Sequence, residues 1–499
     1  MKISTFVAAL LATSTLALAP AFAQEQAAPA AEEAAPTPEE TAAQTAFLAA
    51  QVESLQQQIE ALKKQMTTAA PSWKGAPQWS DSGSGWSFKP KGVLQFDAGY
   101  VSIPGKLTNS TAVGTSVAGS GAIVTNNLGW NMRARRLIFG AEGSIPGGFG
   151  YKVEFELSQS TVSYEDLVLT YQKPGSPLLM TVGYHYPLSS LELLTSNRFT
   201  SFMERAAMND AFGYGRRLGG SVAYLDPAGL FTLTGGVWGA DIADSTNFNR
   251  NNWQASVRGT YSPVIAGVQG HLGVQFQHRV TASDTRSVRY RSRPFTQTTD
   301  QRFIDTGRIA AKGDDILGVE VAGIFKSFHF ASEAQKVWVR GIDTNAFGPN
   351  NGTGGSAIFP ANDPDFLSAY AEVGYFLTGE TRGYKGGKWD RTKVLNPVEK
   401  GGIGAIQINA RLDYTDLGDR VAPGNIVSGT TYVNGGKMTG YQASLIWLPT
   451  DYVKFMLQYS RAHVEGGTAA VAPFTTSTKP FFDRPYNIDQ AGLRAQLDF

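Results

Sequence analysis

The sequence predicts an all-β protein: a closed antiparallel transmembrane β-barrel of sixteen strands, with a short N-terminal coiled-coil helix on its periplasmic side. Three observations predict this class. From Lys91 to Phe499, apolar and polar side chains alternate in segment after segment, as in strands with lipid on one face and water on the other. Short turns alternate with long connections over the same region. After the first residues, no apolar run is long enough for a spanning helix.

The beginning of the chain, residues 1–23, predicts a cleaved export signal. Lys2 supplies the positive start, and an apolar run follows over residues 6–18. Ala21-Phe22-Ala23 matches the small-residue pattern of a cleavage site. We therefore expect a protein that leaves the cytoplasm.

The region before the barrel divides into a spacer, a helix and a linker. Residues 24–40 are mainly Ala, Pro and Glu and predict a disordered spacer, while the Gly-, Ser- and Trp-rich residues 69–90 predict a linker. Residues 41–68 predict a helix with apolar side chains at the alternating spacing of a heptad seam, namely Leu48, Val52, Leu55, Ile59, Leu62 and Met66. Two interpretations stay open: a lone amphipathic helix, or a short oligomeric coiled coil in the periplasm.

The barrel is predicted over residues 91–499. The last strand shows the pattern clearly, because Leu493 and Leu497 alternate with Arg494 and Gln496 before the chain stops on Phe499. An aromatic residue at that position suits the girdle at a membrane interface. Strands are expected to start near residues 92, 131, 148, 163, 178, 216, 230, 251, 270, 313, 327, 366, 403, 437, 452 and 489. An even number returns both ends of the barrel to the same side of the membrane.

One connection breaks the alternation of short and long. Residues 145–148, 173–176, 226–229 and 449–451 have the Pro, Gly and Asp content of tight turns. Residues 378–402 are long where a short turn is due. A barrel of eighteen strands is therefore the alternative to sixteen.

Composition and motifs argue against several function classes. The 43 basic and 42 acidic residues nearly cancel, so a nucleic-acid partner is not expected. The signatures of serine hydrolases, P-loop enzymes and zinc proteases are absent, and the five histidines are scattered, so we expect no enzyme, no cofactor and no metal site. Glu154 and Glu156 lie two residues apart on one strand face, where lining the water-filled side is the simpler interpretation than a glycosidase pair.

Arginine placement is more informative. Arg133, Arg135 and Arg136 open the second predicted strand, and Arg216 and Arg217 open the sixth. Guanidinium groups stay charged and offer paired donors that match phosphate and carboxylate oxygens, and arginine rings are a common device of anion pores. For any single arginine, binding to lipopolysaccharide phosphates or pairing with an acid in the lumen is the alternative.

The segment 187–215 differs from the other long connections because it is partly apolar and carries Arg198 and Arg205. A solvated outer loop would not contain so many Leu, Phe and Met residues. We expect it to fold into the barrel, where it narrows the lumen. An outer cap or a subunit contact is the alternative.

At this point the sequence resembles the phosphate-selective porin O and P family. The matching blocks are RARRLIFGAEG (133–143), SSLELLTSNRFTSFMERAAMNDAFGYGRRLG (189–219), RYRSRPF (289–295), DTGRIAA (305–311), YFLTGETRGY (375–384) and the closing Phe499. The resemblance implies a homotrimer of sixteen-stranded outer-membrane barrels in a Gram-negative bacterium, with a trimeric periplasmic coiled coil. It also implies an arginine-lined constriction that passes phosphate or polyphosphate. Within the matching blocks, constriction roles would fall to Arg198, Arg205, Arg216 and Arg217, and also to Arg133, Arg135 and Arg136.

The leading hypothesis is therefore passive diffusion of small anions, with phosphate or polyphosphate, outer-membrane lipid, lipopolysaccharide and further copies of the chain as partners. A general porin with weak selectivity is the first alternative. A barrel that anchors a tether to peptidoglycan is the second.

Overall fold

The computed structural model describes residues 38–69, 72–73, 75–81, 83–105, 107, 114–116, 123–125, 128–158, 162–239, 241–242, 252–282, 286–343, 358–419, 433–467, 470 and 478–499. The chain divides into two compact units, residues 1–67 and 68–499. The predicted export signal, 1–23, and most of the predicted spacer, 24–40, lie outside the described residues.

Helix α1, Pro38–Ala69, makes up the described part of the first unit. Four members of its heptad seam, Leu48, Val52, Leu55 and Ile59, are 50–58% exposed. Apolar side chains at heptad spacing on an exposed helix are the surface that a coiled coil buries. The coiled coil itself stays a prediction. None of the helices in the described part of the chain combines the length and the apolar character needed to cross a lipid bilayer.

The second unit is built on sixteen long strands. In chain order they are β1 (Ser87–Ser102), β2 (Gly129–Ile145), β3 (Phe149–Glu156), β4 (Ser163–Tyr171), β5 (Leu178–His185), β6 (Arg217–Leu225), β7 (Phe231–Trp238), β8 (Trp253–Tyr261), β9 (Val268–Val280), β10 (Ile309–Phe325), β11 (Phe328–Ile342), β12 (Asp365–Phe376), β13 (Ala405–Asp419), β14 (Val433–Thr450), β15 (Val453–Glu465) and β16 (Pro485–Asp498). Each strand pairs antiparallel with the next in the chain.

The sheet closes because β16 pairs with β1, with Arg494 opposite Asp97 and Gly492 opposite Gly99. Closure leaves no sheet edge unpaired, which is what a barrel needs in lipid. The prediction of sixteen strands is confirmed and the alternative of eighteen is wrong. Within 378–402, the two strands Gly383–Lys385 and Lys388–Asp390 pair only with each other and do not join the barrel sheet.

Along each strand, side chains point alternately outward and into the barrel. The apolar ones point outward, which is the reverse of the arrangement in a soluble barrel. On β15, Leu457 and Tyr459 are each 50% exposed, whereas Gln458 and Ser460, which alternate with them, are each 1% exposed. Apolar side chains therefore point outward and polar side chains point into the lumen, where protein fills much of the space. Lipid on the outside explains this arrangement.

Short elements complete the fold. The helices α2 (Leu191–Leu194) and α3 (Ala207–Ala211) and the 3-10 turns Asn197–Phe199, Val398–Lys400 and Phe481–Asp483 lie in connections. The remaining short strands are Ser72–Trp73, Pro77–Ser80, Gly114–Ser116, Ile123–Thr125, Val264–Ile265, Ser287–Val288, Arg291–Ser292 and Ile304–Asp305. Short connections, such as 146–148 and 326–327, share one end of the barrel with residue Phe499. We call it the turn end, which faces the periplasm in barrels of this kind, and the opposite end the loop end.

Candidate functional site

The connection between β5 and β6, residues 187–215, lies inside the barrel, and we call it the inner loop. The first helix in this loop is α2. The Ser190 hydroxyl caps its N-terminus by accepting a hydrogen bond of 3.1 Å from the Leu193 N–H. Leu191, Phe202 and Met208 of this loop are completely buried. The predicted inward fold of this segment is confirmed.

Inward-facing side chains of several strands hold the inner loop in place. The N–H of Glu192 donates to Glu333 of β11 at 2.9 Å, and the N–H of Ala207 donates to Asp413 of β13 at 2.9 Å. The Ser444 hydroxyl of β14 donates to the Ser201 carbonyl at 2.6 Å. Polar groups on the wall therefore satisfy loop backbone groups that would otherwise be buried without partners.

Glu192 is the centre of this attachment. Its carboxylate accepts from Arg411 of β13, from the Ala206 N–H at 2.8 Å and from the Asn209 amide at 2.9 Å. Its backbone carbonyl accepts from Arg205 Nε at 2.9 Å. Burial raises the pKa of Glu192, an effect that Arg411 opposes and Glu372 reinforces.

The connection 378–402 also enters the barrel, from the turn end, and we call it the inner hairpin. The Trp389 N–H donates to Thr195 of the inner loop at 3.2 Å, and Arg382 donates to the Phe199 carbonyl. Tyr384 lies 2.6 Å from His271 Nδ1 on the wall. Sequence reasoning missed this placement, although the length of the connection was the signal that could have found it.

A β-bulge explains how two successive arginines reach the lumen. Gln95 of β1 pairs with Arg136 and the next residue, Phe96, pairs with Ala134, so Arg135 is the extra residue. Arg135 donates to the carboxylate of Glu204 at 2.7 and 2.9 Å. Without the bulge, adjacent residues would point to opposite faces of the wall.

A second bulge, between β3 and β4, brings two successive acidic residues to the lumen side. The register shifts between Val153 and Phe155, and Glu165 and Asp166 of β4 both contact the guanidinium of Arg216. Arg216 Nε lies 2.5 Å from Asp166, and its guanidinium lies 4.2 Å above the Tyr186 ring. The bulges bring cations and carboxylates together on the lumen side.

Two of the cavities beside the inner loop share part of their lining. The turn-side cavity has a volume of about 500 Å³ and the loop-side cavity about 230 Å³. Four residues line both of them: Arg136, Tyr186, Leu193 and Arg205. These four therefore lie between the two cavities, and we call this place the junction.

The two junction arginines keep donors available. Arg136 lies 3.6 Å from Glu165 and 4.0 Å from Glu156. Arg205 donates to the carbonyls of Glu192 and Thr195, at 2.9 and 2.7 Å, and no carboxylate of the described residues forms an ion pair with it. A planar guanidinium has five N–H donors, so groups are left to contact a passing solute.

Both cavities carry an excess of positive charge. The turn-side cavity is lined by seven basic side chains, Arg136, Lys152, Arg198, Arg205, Arg216, Lys385 and Lys388, and by four acidic ones, Glu154, Glu165, Asp166 and Asp390. The loop-side cavity is lined by four basic side chains, Arg135, Arg136, Arg205 and Arg293, and by two acidic ones, Glu204 and Asp210. Enclosure by protein lowers the pKa of Lys388, and the nearby Arg258 and Lys152 lower it further.

The seven arginines singled out in the sequence occupy three kinds of position. Five of them, Arg135, Arg136, Arg198, Arg205 and Arg216, line one or both cavities. Arg133 instead donates to the Gln297 carbonyl, and Arg217 contacts the Gly239 carbonyl at 3.5 Å and the Tyr214 ring at 4.5 Å. The cavity lysines Lys152, Lys385 and Lys388 were not singled out from the sequence. Alternation places Lys152 on the water side with Glu154, but Lys385 and Lys388 lie in a connection whose entry into the barrel was not predicted.

The chain matches the family model described as phosphate-selective porin O and P over residues 123–499. The chain belongs to this family. It is therefore an outer-membrane porin, and the family and fold are those of channel proteins.

The chain is also similar to individual proteins and to solved structures. An uncharacterized protein of Caulobacter vibrioides is 35% identical over 437 residues, which are 86% of this chain and 77% of that protein. Porin O of Pseudomonas aeruginosa is 26% identical over 362 residues, which are 66% of this chain and 76% of that protein. The outer membrane channel DcaP of Acinetobacter baumannii is similar in fold at 14% identity and a TM-score of 0.44, covering 84% of this chain and 99% of that one. The anion-selective porin from Comamonas acidovorans is similar at 12% identity and a TM-score of 0.44, covering 83% of this chain and 100% of that one.

Proposed function

We propose that this porin conducts small anions by passive diffusion, phosphate or polyphosphate among them, through a constriction formed at the junction by Arg136 and Arg205. Arg198 and Arg216 on the turn side and Arg135 on the loop side extend the positive path. No energy source is required, because solute moves down its own gradient.

The single observation that carries the proposal is that two arginines lie among the four residues lining both cavities. Because they border both cavities, both guanidinium groups are placed to contact a solute that crosses the junction. Positive groups in an enclosed passage attract anions more strongly than they would in bulk water.

Partial pairing of the cations supports passage rather than trapping. Arg198 lies 3.4 Å from Glu154, and Arg216 contacts Glu165 and Asp166. Neighbouring carboxylates weaken the hold of each arginine on an anion. Several weak sites in series allow a solute both to enter and to leave.

The test is phosphate block of chloride current through single barrels in planar bilayers. Arg205→Ala and Arg136→Ala should each weaken block several-fold, and Arg198→Ala should do so less. Arg340→Ala is the matched control, since Arg340 is 58% exposed on the outer wall and pairs with Asp315. Equal block in Arg205→Ala, Arg136→Ala and the control contradicts the proposal.

The acids on the lumen side favour a second candidate, a general porin with weak selectivity. Glu154, Glu165 and Asp166 offset part of the positive lining of the turn-side cavity. Liposome swelling separates the candidates, because a general porin should admit neutral sugars as fast as anions of the same size.

Assembly and export complete the proposal. The chain is exported by its first 23 residues and assembles as a homotrimer, with the seam of α1 forming a periplasmic coiled coil. The exposure of Leu48, Val52, Leu55 and Ile59 supports this assembly, because such a seam is stabilised by burial against other helices. Cross-linking of full-length protein and of a variant lacking residues 24–70 tests whether the helix contributes.

A further inference from the structure

The lumen face of β4, β5 and β6 carries apolar side chains in the half of the barrel near the turn end. We call this set the apolar patch, and its members are Val168, Leu179, Ala223 and Leu225. Leu179 pairs with Ala223 across the two strands, and Leu225 follows two positions later on the same face. The residues that alternate with them, such as Met180 and Val222, are exposed on the outer wall.

The apolar patch is partly open, unlike other apolar side chains on the lumen face. Ile316 of β10 and Val337 of β11 also point inward, but they are completely buried in the core cluster that contains Leu191 of the inner loop. Every member of the apolar patch except Ala223 is partly exposed. Apolar side chains that remain open beside a cavity are typical of a site that holds the apolar part of a ligand.

The tip of the inner hairpin lies beside the apolar patch. Leu225 pairs with Thr232 of β7, whose hydroxyl lies 2.8 Å from that of Thr260 on β8. On the same strand, Arg258 Nη2 donates to the carbonyl of Gly387 at the tip, at 3.0 Å. The wall therefore holds the tip of the hairpin two strands away from Leu225.

The hairpin tip brings cations that can bind an anionic group. Lys385 and Lys388 lie on either side of the tip, and both are exposed and line the turn-side cavity together with Leu225. Among the residues that the structure describes, no carboxylate forms an ion pair with either lysine or with Arg205. These three cations account for the excess of seven basic over four acidic side chains in the lining.

The turn-side cavity has room and further apolar lining for an organic group. The inner loop contributes Leu194 and Phe199 to the lining, and both side chains are partly exposed. The volume of about 500 Å³ falls in the range of pockets that hold small organic molecules, about 300–1,000 Å³. A bare inorganic anion would use the cations of this cavity and leave its apolar lining in contact with water.

We propose that the turn-side cavity binds small organic anions that carry an apolar group, such as phosphate monoesters of an aromatic or short alkyl alcohol. Lys385 and Lys388 bind the anionic group, and the apolar group lies against Leu225 and its neighbours in the apolar patch. This inference rests on the proposed function, because such a solute reaches the cavity by the same anion pathway, and it deepens that function by naming a class of substrate.

The test compares two phosphate monoesters, methyl phosphate and phenyl phosphate, as blockers of chloride current through full-length wild-type barrels in planar bilayers. The two esters carry the same anionic group and differ in their apolar group. Phenyl phosphate should reach half-block at a concentration about tenfold lower than methyl phosphate, because its ring leaves water when it lies against the apolar patch. Benzyl alcohol, which has a ring and no charge, should not block at these concentrations.

Leu225→Asn should reduce the difference between the two esters to about threefold or less, by weakening block by phenyl phosphate. The matched control is Leu448→Asn, which should keep the full difference. Leu448 is also a partly exposed leucine on the lumen face, but it belongs to β14 and lines a separate cleft. The variant K385A/K388A should weaken block by both esters by a similar factor.

The outcomes separate this inference from the proposed function. Equal block by the two esters in the wild type overturns this inference and leaves the proposed function standing, whereas absence of block by both esters overturns the two together. A full difference in Leu225→Asn, or block by benzyl alcohol equal to that by phenyl phosphate, also overturns this inference. If Leu225→Asn does not fold, Leu179→Asn takes its place with the same expected result.

Discussion

Arg411 on β13 and Glu192 in the inner loop form a buried ion pair although 219 residues separate them in the chain. Their side chains are only 1% and 4% exposed. Arg411 also contacts Glu372, and its guanidinium lies 4.3 Å above the Phe202 ring. Since the Glu192 carbonyl also accepts from Arg205, the pair fixes the place of a junction arginine.

Replacing Arg411 by alanine should destabilise the protein by about 3–5 kcal/mol, because two buried carboxylates would lose their shared cation. The unfolding temperature of the barrel measures the effect. Arg289→Ala is the control, since Arg289 pairs with Asp305 at an exposed site and should cost about 0–1 kcal/mol. Similar unfolding temperatures for the two variants would show that Arg411 does not hold the loop.

Attachment of the inner loop should weaken as pH rises. The pKa of Glu192 is raised in the folded protein, so the attached loop binds this proton more tightly than a detached loop does. Below the ordinary glutamate pKa of about 4.3, titration of Glu192 does not change the free energy of loop attachment. As the pH rises above that value towards the raised pKa, attachment becomes progressively less favourable. Single-channel recordings from pH 5 to pH 9 should show more current fluctuation at the alkaline end, and Glu192→Gln should reduce this dependence.

Glu204 serves as a control because its pKa is shifted in the direction opposite to that of Glu192. Burial raises its pKa, but Arg135 and Arg494 outweigh that effect and hold the pKa of Glu204 well below its usual range. Its contribution to stability is therefore complete above the ordinary glutamate pKa and is lost only as pH falls below it. Glu204→Gln should leave the alkaline behaviour unchanged. If both variants respond alike at pH 9, titration of Glu192 is not the cause.

The lysines of the inner hairpin should add to anion preference. Lys388 lines the turn-side cavity, and enclosure by protein together with Arg258 and Lys152 lowers its pKa. Its charge is therefore lost at a lower pH than that of a free lysine. Lys388→Ala should lower the ratio of anion to cation permeability at neutral pH and reduce the decline of that ratio in alkaline buffer. The measurement is the reversal potential in a salt gradient, with Lys326→Ala in an exposed turn as the control.

Much of the fold was predictable because it depends on local patterns. Alternation gave all sixteen strands, and the apolar character of residues 187–215 gave the inward loop. The pattern does not show which inward-facing residues contact one another. Arg411 is one polar residue on one alternating strand, and its partner Glu192 is set by closure of the whole barrel.

The two bulges and the inner hairpin are departures from the regular pattern of strands and short turns. Regular alternation places Arg135 and Arg136 on opposite faces, and only the register shift against β1 turns both inward. The length of 378–402 was visible, but its entry into the lumen depends on contacts with Thr195 and His271, which come from distant parts of the chain.

The most direct test of the central claim is the ion preference of the wild-type barrel in planar bilayers across a potassium chloride gradient, at pH 6 and at pH 8. Since Arg136 and Arg205 lie at the junction and both cavities have excess positive charge, the reversal potential should show anion preference at both pH values. The double variant Arg136→Ala/Arg205→Ala should lose most of it. Cation preference in the wild type at both pH values would contradict the account.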